Sequence, residues 1–368
     1  MALLNLRLPD ATVTRPRASY RDDLVTVILG LWFVAGLLLD AWAHNNLVGL
    51  ESFLTPWHGV FYSGFAATGA WMSWMIWRRR DAAGLTPASV PVGYGLGVLG
   101  LPVFALAGVA DFAWHTVFGV EQSLRILFSP THLVLVSAMV LIVTSPLRSA
   151  WSDPARPQRP TLRRLLPAVL ALSFAATLVM LLLQYANALV WTPDAVVAAL
   201  SNPLDGTVTW THSPVELASA IAVTNVVLLA PLLMLARRWQ PPPGSATILF
   251  ATVAGLAAAI TVLHGAAIIV GVILSGVLVD LLLAWLRPTA SRRSTYLTFA
   301  ALTPVVVWYV YVGAASFAGG GLPRVTEYWT GIPLAAGLMG LLLAVISLPS
   351  REPSPPAAGR ASAGAFVA

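Results

Sequence analysis

Long apolar runs broken by short polar segments make up most of this chain. Ten runs approach the ~20 residues that cross a bilayer as an α-helix. They cover residues 24–43, 54–77, 91–113, 129–147, 165–190, 214–236, 245–263, 265–286, 296–316 and 331–348. The stretch 245–286 is too long for one crossing and divides near His264 and Gly265 into a hairpin. Residues 1–23 are polar and basic, and residues 349–368 are rich in Pro, Ala, Gly and Ser, which predicts disorder. The pattern therefore predicts an all-α, polytopic transmembrane helical bundle: an N-terminal cytoplasmic segment 1–23, a transmembrane domain 24–348 and a cytoplasmic tail 349–368.

Against this background a polar pattern occurs twice. The first copy is Asp40-Ala41-Trp42-Ala43-His44, then Glu51, then Thr55-Pro56-Trp57-His58. The second is Asp111-Phe112-Ala113-Trp114-His115, then Glu121, then Ser129-Pro130-Thr131-His132. Asp and His four residues apart share one helix face. Ser or Thr followed by Pro is a helix start, with the hydroxyl as N-cap and Pro at the first helical position. The third helical position then carries His58 and His132. A third start, Ser213-Pro214-Val215-Glu216, carries Glu216, and Gln184 and Asn187 lie where its Asp and His counterparts belong. Three related hairpins are predicted, 24–77, 91–147 and 165–236, followed by four further spans.

Composition agrees with the membrane reading. The chain is 58% hydrophobic and 10% charged, with mean hydropathy +0.79, against about 25% charged residues in soluble domains. The net charge of +6 is spread over short arginine clusters between apolar runs, so it marks loops of a membrane protein and not a nucleic-acid interface. Arg78 to Arg80, Arg148 to Arg164, Arg237 with Arg238, Arg287 to Arg293 and Arg351 all fall on one side of a ten-span topology, together with the N-terminal arginines. Only Arg125 and Arg324 fall in the opposite loops. That bias predicts a multi-pass cell-membrane protein with both termini cytoplasmic. All six histidines then lie on the extracytoplasmic side, with Glu51, Glu121, Glu216 and Glu327. A competing reading takes the first run with Ala41-Trp42-Ala43 as a cleaved signal peptide. Against it stand the long leader, Asp22 and Asp23, and Asp40 just before the cleavage point.

Polar side chains are costly at membrane depth and tend to be functional there. Helix capping or interfacial bridging accounts for any one of these histidines. Repetition of four residue types in one order points to metal binding, with Asp40, His44 and His58 as one ligand set and Asp111, His115 and His132 as the other. Glu51 and Glu121 are candidate proton carriers or general bases. Imidazole with carboxylate suits copper, zinc or non-haem iron. The chain has no cysteine, which excludes disulfides, thiolate sites and iron–sulfur clusters, and no Met lies near the motifs, which argues against a Cu(I) carrier. The tryptophans near run ends form an interfacial belt, Asn225 is interhelical glue, and Asp280 is a partner for a nearby arginine.

The doubled motif resembles the C subunit of the copper membrane monooxygenases, the family of particulate methane and ammonia monooxygenases. The resemblance covers residues 24–147 and includes the offset of 71 residues from Asp40 to Asp111. It implies copper at both ligand sets, oxygen activation, a small apolar substrate arriving through the lipid bilayer, and other membrane subunits as partners. The second His-to-His gap is longer than the first, and four spans beyond the third hairpin have no counterpart. From the residues alone a zinc-dependent membrane hydrolase, a transporter or metal-handling permease, and a structural subunit with a stabilising metal site remain open.

Overall fold

The computed structural model describes residues 15–47, 55–80, 84–119, 127–203 and 213–348. Among them are twelve α-helices, a few single 3₁₀ turns and no sheet. Seven helices are long and apolar enough to cross a membrane: α1 (Tyr20–Asn46), α3 (Gly95–Phe118), α6 (Leu162–Leu182), α8 (Pro214–Arg238), α10 (Ala266–Leu286), α11 (Arg293–Ala318) and α12 (Thr326–Ser347). Helices α4 (Pro130–Val143) and α5 (Ser145–Trp151), which meet at a 42° bend, make an eighth if the bent pair is one span. The chain is a polytopic helical membrane protein.

The remaining helices fall short of that standard for separate reasons. Helix α2 (Pro56–Trp77) is long enough, but His58, Tyr62, Ser63, Thr68 and four tryptophans lower its hydropathy. Helix α9 (Ser245–Thr261) is uniformly apolar but only 17 residues long, about 25 Å at 1.5 Å per residue. Helix α7 (Pro193–Leu200) is a short amphipathic segment inside the region expected to link the fifth and sixth spans. The expected span 165–190 ends as a helix at Leu182, because Gln184 and Asn187 bond each other and Asn187 caps the turn at Leu189. Helix α1 starts earlier than the apolar run, at a capping box in which Ser19 and Asp22 satisfy each other's backbone N–H groups.

The site depends on how α1 meets α2 and how α3 meets α4. Gly36 and Gly64 let α1 and α2 touch backbone to backbone. A Cβ on Gly64 would stand 2.6 Å from Phe33 Cα, and one on Gly36 would stand 2.8 Å from Phe61 Cα. Small residues at helix crossings do this in membranes, where packing replaces the hydrophobic effect. Gly100 plays the same part between α3 and α4, where an added Cβ would lie 3.0 Å from the Ala138 carbonyl oxygen. Phe33, Phe61, Phe65 and Phe104 interlock beside these crossings, with ring centroids 4.4–5.8 Å apart.

Helix α6 adds buried side chains to two apolar clusters, one built mainly from α1–α6 and one mainly from α6–α12. At the end away from the ligand motifs, Asp22 pairs with Arg78 and Arg79 of the α2 C-terminus. Asp23 accepts hydrogen bonds from Tyr94 (2.8 Å) and Ser149 (3.1 Å). The arginine cluster and the ligand motifs thus lie at opposite ends of the α1–α2 pair. Asn225 links α8 to α11 and α12 through Trp308 Nε1 (3.1 Å) and the Ala336 carbonyl (3.3 Å). Asp280 pairs with no arginine among the described residues. It accepts from the Ala246 and Thr247 amides, both at 3.0 Å, and so caps α9, whose Gly244 N-cap has no side chain.

Gly64→Ala is expected to lower the unfolding temperature of detergent-purified protein, since overpacking costs about 1–3 kcal/mol. Gly59→Ala in the same helix, where an added Cβ meets nothing within 4 Å, is expected to be neutral or stabilising. Equal effects of the two in thermal unfolding would remove the close α1–α2 crossing from the account.

Candidate metal centre

Each ligand-type residue owes its position to local helix grammar. Asp40 and His44 lie one turn apart near the end of α1, as Asp111 and His115 do in α3. Thr55 caps α2, accepting from the His58 amide at 3.2 Å, and its hydroxyl lies 3.0 Å from His58 Nδ1. Ser129 caps α4 in the same way, 3.2 Å from the His132 amide. Pro56 and Pro130 occupy first-turn positions where a missing N–H costs nothing. Each N-cap thereby aims an imidazole back toward the carboxylate of the preceding helix.

Two compact clusters result. In the first, Asp40 Oδ1 lies 3.1 Å from His58 Nδ1 and Asp40 Oδ2 lies 3.8 Å from His44 Nε2. In the second, Asp111 Oδ2 lies 3.4 Å from His115 Nε2 and Asp111 Oδ1 lies 3.6 Å from His132 Nε2. The paired imidazole rings are 5.5 Å apart in the first cluster and 5.4 Å in the second. Within each cluster one ligand atom per residue lies within 4.8 Å of the others. Tetrahedral ligands at about 2.0–2.1 Å from an ion lie roughly 3.4 Å apart, so side-chain adjustments of up to about an ångström close either set.

The orientation of the His115 ring suits a cation at the second cluster. His115 Nδ1 lies 3.0 Å from the Gly119 carbonyl oxygen, which can only accept, so Nδ1 carries the proton. Nε2 then faces the Asp111 carboxylate at 3.4 Å, as a donor to it when the ring is protonated and as a free ligand atom when the ring is neutral. A backbone carbonyl on the far ring nitrogen is the usual orienting partner of a metal-ligating histidine. Thr131 donates to Asp111 Oδ1 at 2.6 Å and fixes the carboxylate plane. The first cluster lacks this device, because Trp57 stands where Thr131 does. Asp40 is 7% exposed, and its Oδ1 makes no hydrogen bond despite the nearby His58 nitrogen. A buried carboxylate oxygen without a hydrogen bond fits a cation ligand.

Both clusters open on one cavity of about 80 Å³. All six residues line it, and His44 lies within electrostatic range of both His115 and His132. Tyr62, one turn after His58, lies within electrostatic range of both Asp40 and Asp111. The rest of the wall is apolar: Leu37, Phe61, Phe104, Leu135, Met139 and Leu181 among others.

Other expected site residues fall elsewhere. Glu51, Glu121 and His212 lie outside the described residues. Glu216 occupies the first turn of α8 but is exposed and does not line the cavity. Gln184 and Asn187 bond each other away from it. His264 sits exposed in the α9–α10 turn, against the Thr261 carbonyl. Trp57 packs on Trp42 and Trp114 on Phe118, outside the cavity wall. Tyr62, Thr131 and Met139 are additions. Met139 corrects the expectation that no thioether lies near the motifs. It follows His132 by two helical turns on the face that also carries Leu135 and Val136, a spacing of 3, 4 and 7 residues that was present in the sequence.

No protein-family model, curated protein or solved structure matches the chain.

In metal-free protein, Asp111→Ala is expected to lower the unfolding temperature more than Asp40→Ala. Only the first removes a hydrogen bond to a charged acceptor, worth about 1.5–3 kcal/mol. Equal losses in calorimetry would contradict the asymmetry of the two clusters.

Proposed function

We propose that the chain is a membrane metalloprotein, most consistent with a copper-dependent oxidoreductase that acts on a small apolar substrate. One observation carries this reading: two Asp–His–His clusters share a single cavity whose other walls are hydrocarbon and aromatic. Asp40, His44 and His58 hold one ion, and Asp111, His115 and His132 hold the other or share it. The nitrogen and carboxylate donors fit copper, zinc or iron. The likeness of the doubled motif to the copper membrane monooxygenase C subunit favours copper, and Met139 removes one objection to its reduced state. A bound copper ion supplies redox chemistry and Lewis acidity for oxygen activation.

The chain's own residues have definable tasks. Gly119 and Thr131 orient the second cluster, and Thr55 orients the first. The Tyr62 hydroxyl, near both carboxylates, is placed to hold a proton beside a bound substrate. Leu135, Met139 and Leu181 offer an apolar seat that excludes water and favours a hydrocarbon over a sugar or nucleotide. A zinc hydrolase needs a general base; its candidates Glu51 and Glu121 lie outside the described residues, so no observation favours that reading.

The ten-span topology completes the proposal. Helices α2 and α9 cross the membrane with the eight longer candidates, the α1–α2 and α3–α4 hairpins are related copies, both termini are cytoplasmic and the cavity faces the extracytoplasmic side. The opposition of the arginine cluster and the ligand motifs along α1–α2 supports this orientation.

After copper loading and dialysis, wild-type protein is expected to retain copper by elemental analysis. His44→Ala and His115→Ala are each expected to lose at least half of it. Retention at the wild-type level in both variants, or retention of zinc in preference to copper, would contradict the assignment. Because the chain has no cysteine, topology is testable with single introduced thiols. A membrane-impermeant maleimide should label Asn46→Cys in intact cells and Ser152→Cys only after lysis; the reverse pattern would invert the orientation.

A further inference from the structure

At the end of the bundle where α6 and α11 begin and α8 ends, three connecting segments enclose a second, open pocket. Its volume is about 450 Å³. Arg159, Arg237, Arg238 and Arg292 line it, with side-chain amides and hydroxyls between them and no carboxylate. Backbone hydrogen bonds tie the segments together: the Gln240 amide donates to the Gln158 carbonyl at 2.8 Å, and the Ala290 amide donates to the Ala236 carbonyl at 3.1 Å. The walls are therefore held in place by the fold and do not depend on a ligand.

Among the described residues no acid neutralises the four guanidiniums. Among the described residues none forms a salt bridge. Asp153, the nearest acid in sequence to Arg159, pairs with Arg17 and Arg156 instead. Arg238 is positioned by backbone carbonyls, those of Trp151 (3.5 Å) and Asp153 (3.3 Å), and Arg292 by the Arg287 carbonyl (3.3 Å). Helix α11, 26 residues long, has Arg292 as its N-cap residue and no side-chain cap, so its dipole adds positive potential at the wall. A preference for arginine in loops on one side of a membrane explains the residue type. It does not explain why four such charges share one pocket from which acids are missing.

We infer that this pocket binds a phosphate-bearing anion, with the headgroup of an anionic phospholipid as the source its position favours. Guanidinium forks match phosphate oxygens two at a time. Basic pockets between transmembrane helices at the membrane surface are suited to such headgroups. The inference does not rest on the metal reading, since the pocket lies at the end of the bundle away from the two clusters.

The test is thermal unfolding of the full-length, detergent-purified protein titrated with short-chain phosphatidylglycerol, phosphatidylcholine or inorganic phosphate. Phosphatidylglycerol should raise the unfolding temperature saturably, and phosphatidylcholine should not. A saturable response to inorganic phosphate alone identifies a soluble phosphate as the source and overturns the lipid assignment. Arg237→Gln with Arg292→Gln should weaken the apparent phosphatidylglycerol affinity about thirtyfold, at about 1 kcal/mol per arginine. Arg80→Gln, at the α2 end outside the pocket, should leave it unchanged. If the double variant responds like wild type, or if wild type responds to none of the three, the inference fails. Should the double variant fold poorly, native mass spectrometry of wild type replaces it: retained phosphatidylglycerol supports the inference, and loss of the lipid overturns it.

Discussion

The structure turns on buried carboxylates facing imidazole nitrogens at one end of a membrane bundle. In the second cluster His115 Nε2 faces Asp111 at 3.4 Å, and in the first a carboxylate oxygen of Asp40 has no hydrogen bond. Such arrangements are unfavourable in a low-dielectric setting unless a positive charge is present. The fold nevertheless builds this arrangement twice and directs both copies into one cavity. Glycine crossings at Gly36, Gly64 and Gly100 hold the helix pairs close, and hydroxyl N-caps at Thr55 and Ser129 fix the returning histidines. Rigid helices and not loops carry the six side chains, which is the condition for a site held to the tolerance that coordination needs.

Polar chemistry is segregated along the bundle. One end carries the carboxylate–imidazole clusters. The other carries Asp22 and Asp23, locked by arginines, Tyr94 and Ser149, and the unneutralised arginine pocket. Between them the interior is largely apolar, and two of its buried polar groups dock helices. Asn225 ties three helices, and Asp280 supplies the cap that Gly244 cannot give α9. The charged groups of the interior thus have structural partners, whereas the cavity carboxylates face imidazoles and, at Asp40, leave one oxygen without a hydrogen bond.

Much of this was legible in the sequence because membrane insertion imposes a strong hydropathy signal. Every predicted apolar run contains a helix, and the Ser/Thr-Pro signature located the starts of α2, α4 and α8 within a residue. The ligand sets were legible because a four-residue spacing and an N-cap both have fixed geometry. Less legible was anything decided by tertiary partners. Hydropathy does record that α2 is rich in polar and aromatic residues, but not that α9 would stop after 17 residues. It could not foresee that Gln184 and Asn187 would end α6 early, or that Asp280 would cap a helix instead of meeting an arginine. Glu216 shares the local start of His58 and His132, yet its helix directs it to the exterior. Met139 and Tyr62 were readable as continuations of the histidine faces, but only once those faces were known to border a cavity.

The central claim concerns where an ion sits, so the most direct measurement is an anomalous difference map at the copper absorption edge, from protein crystallised with copper. The account places density within bonding distance of Asp40, His44 and His58, of Asp111, His115 and His132, or at one position between the two sets. Full copper occupancy elsewhere, with the cavity between α1–α2 and α3–α4 holding no metal, would contradict it.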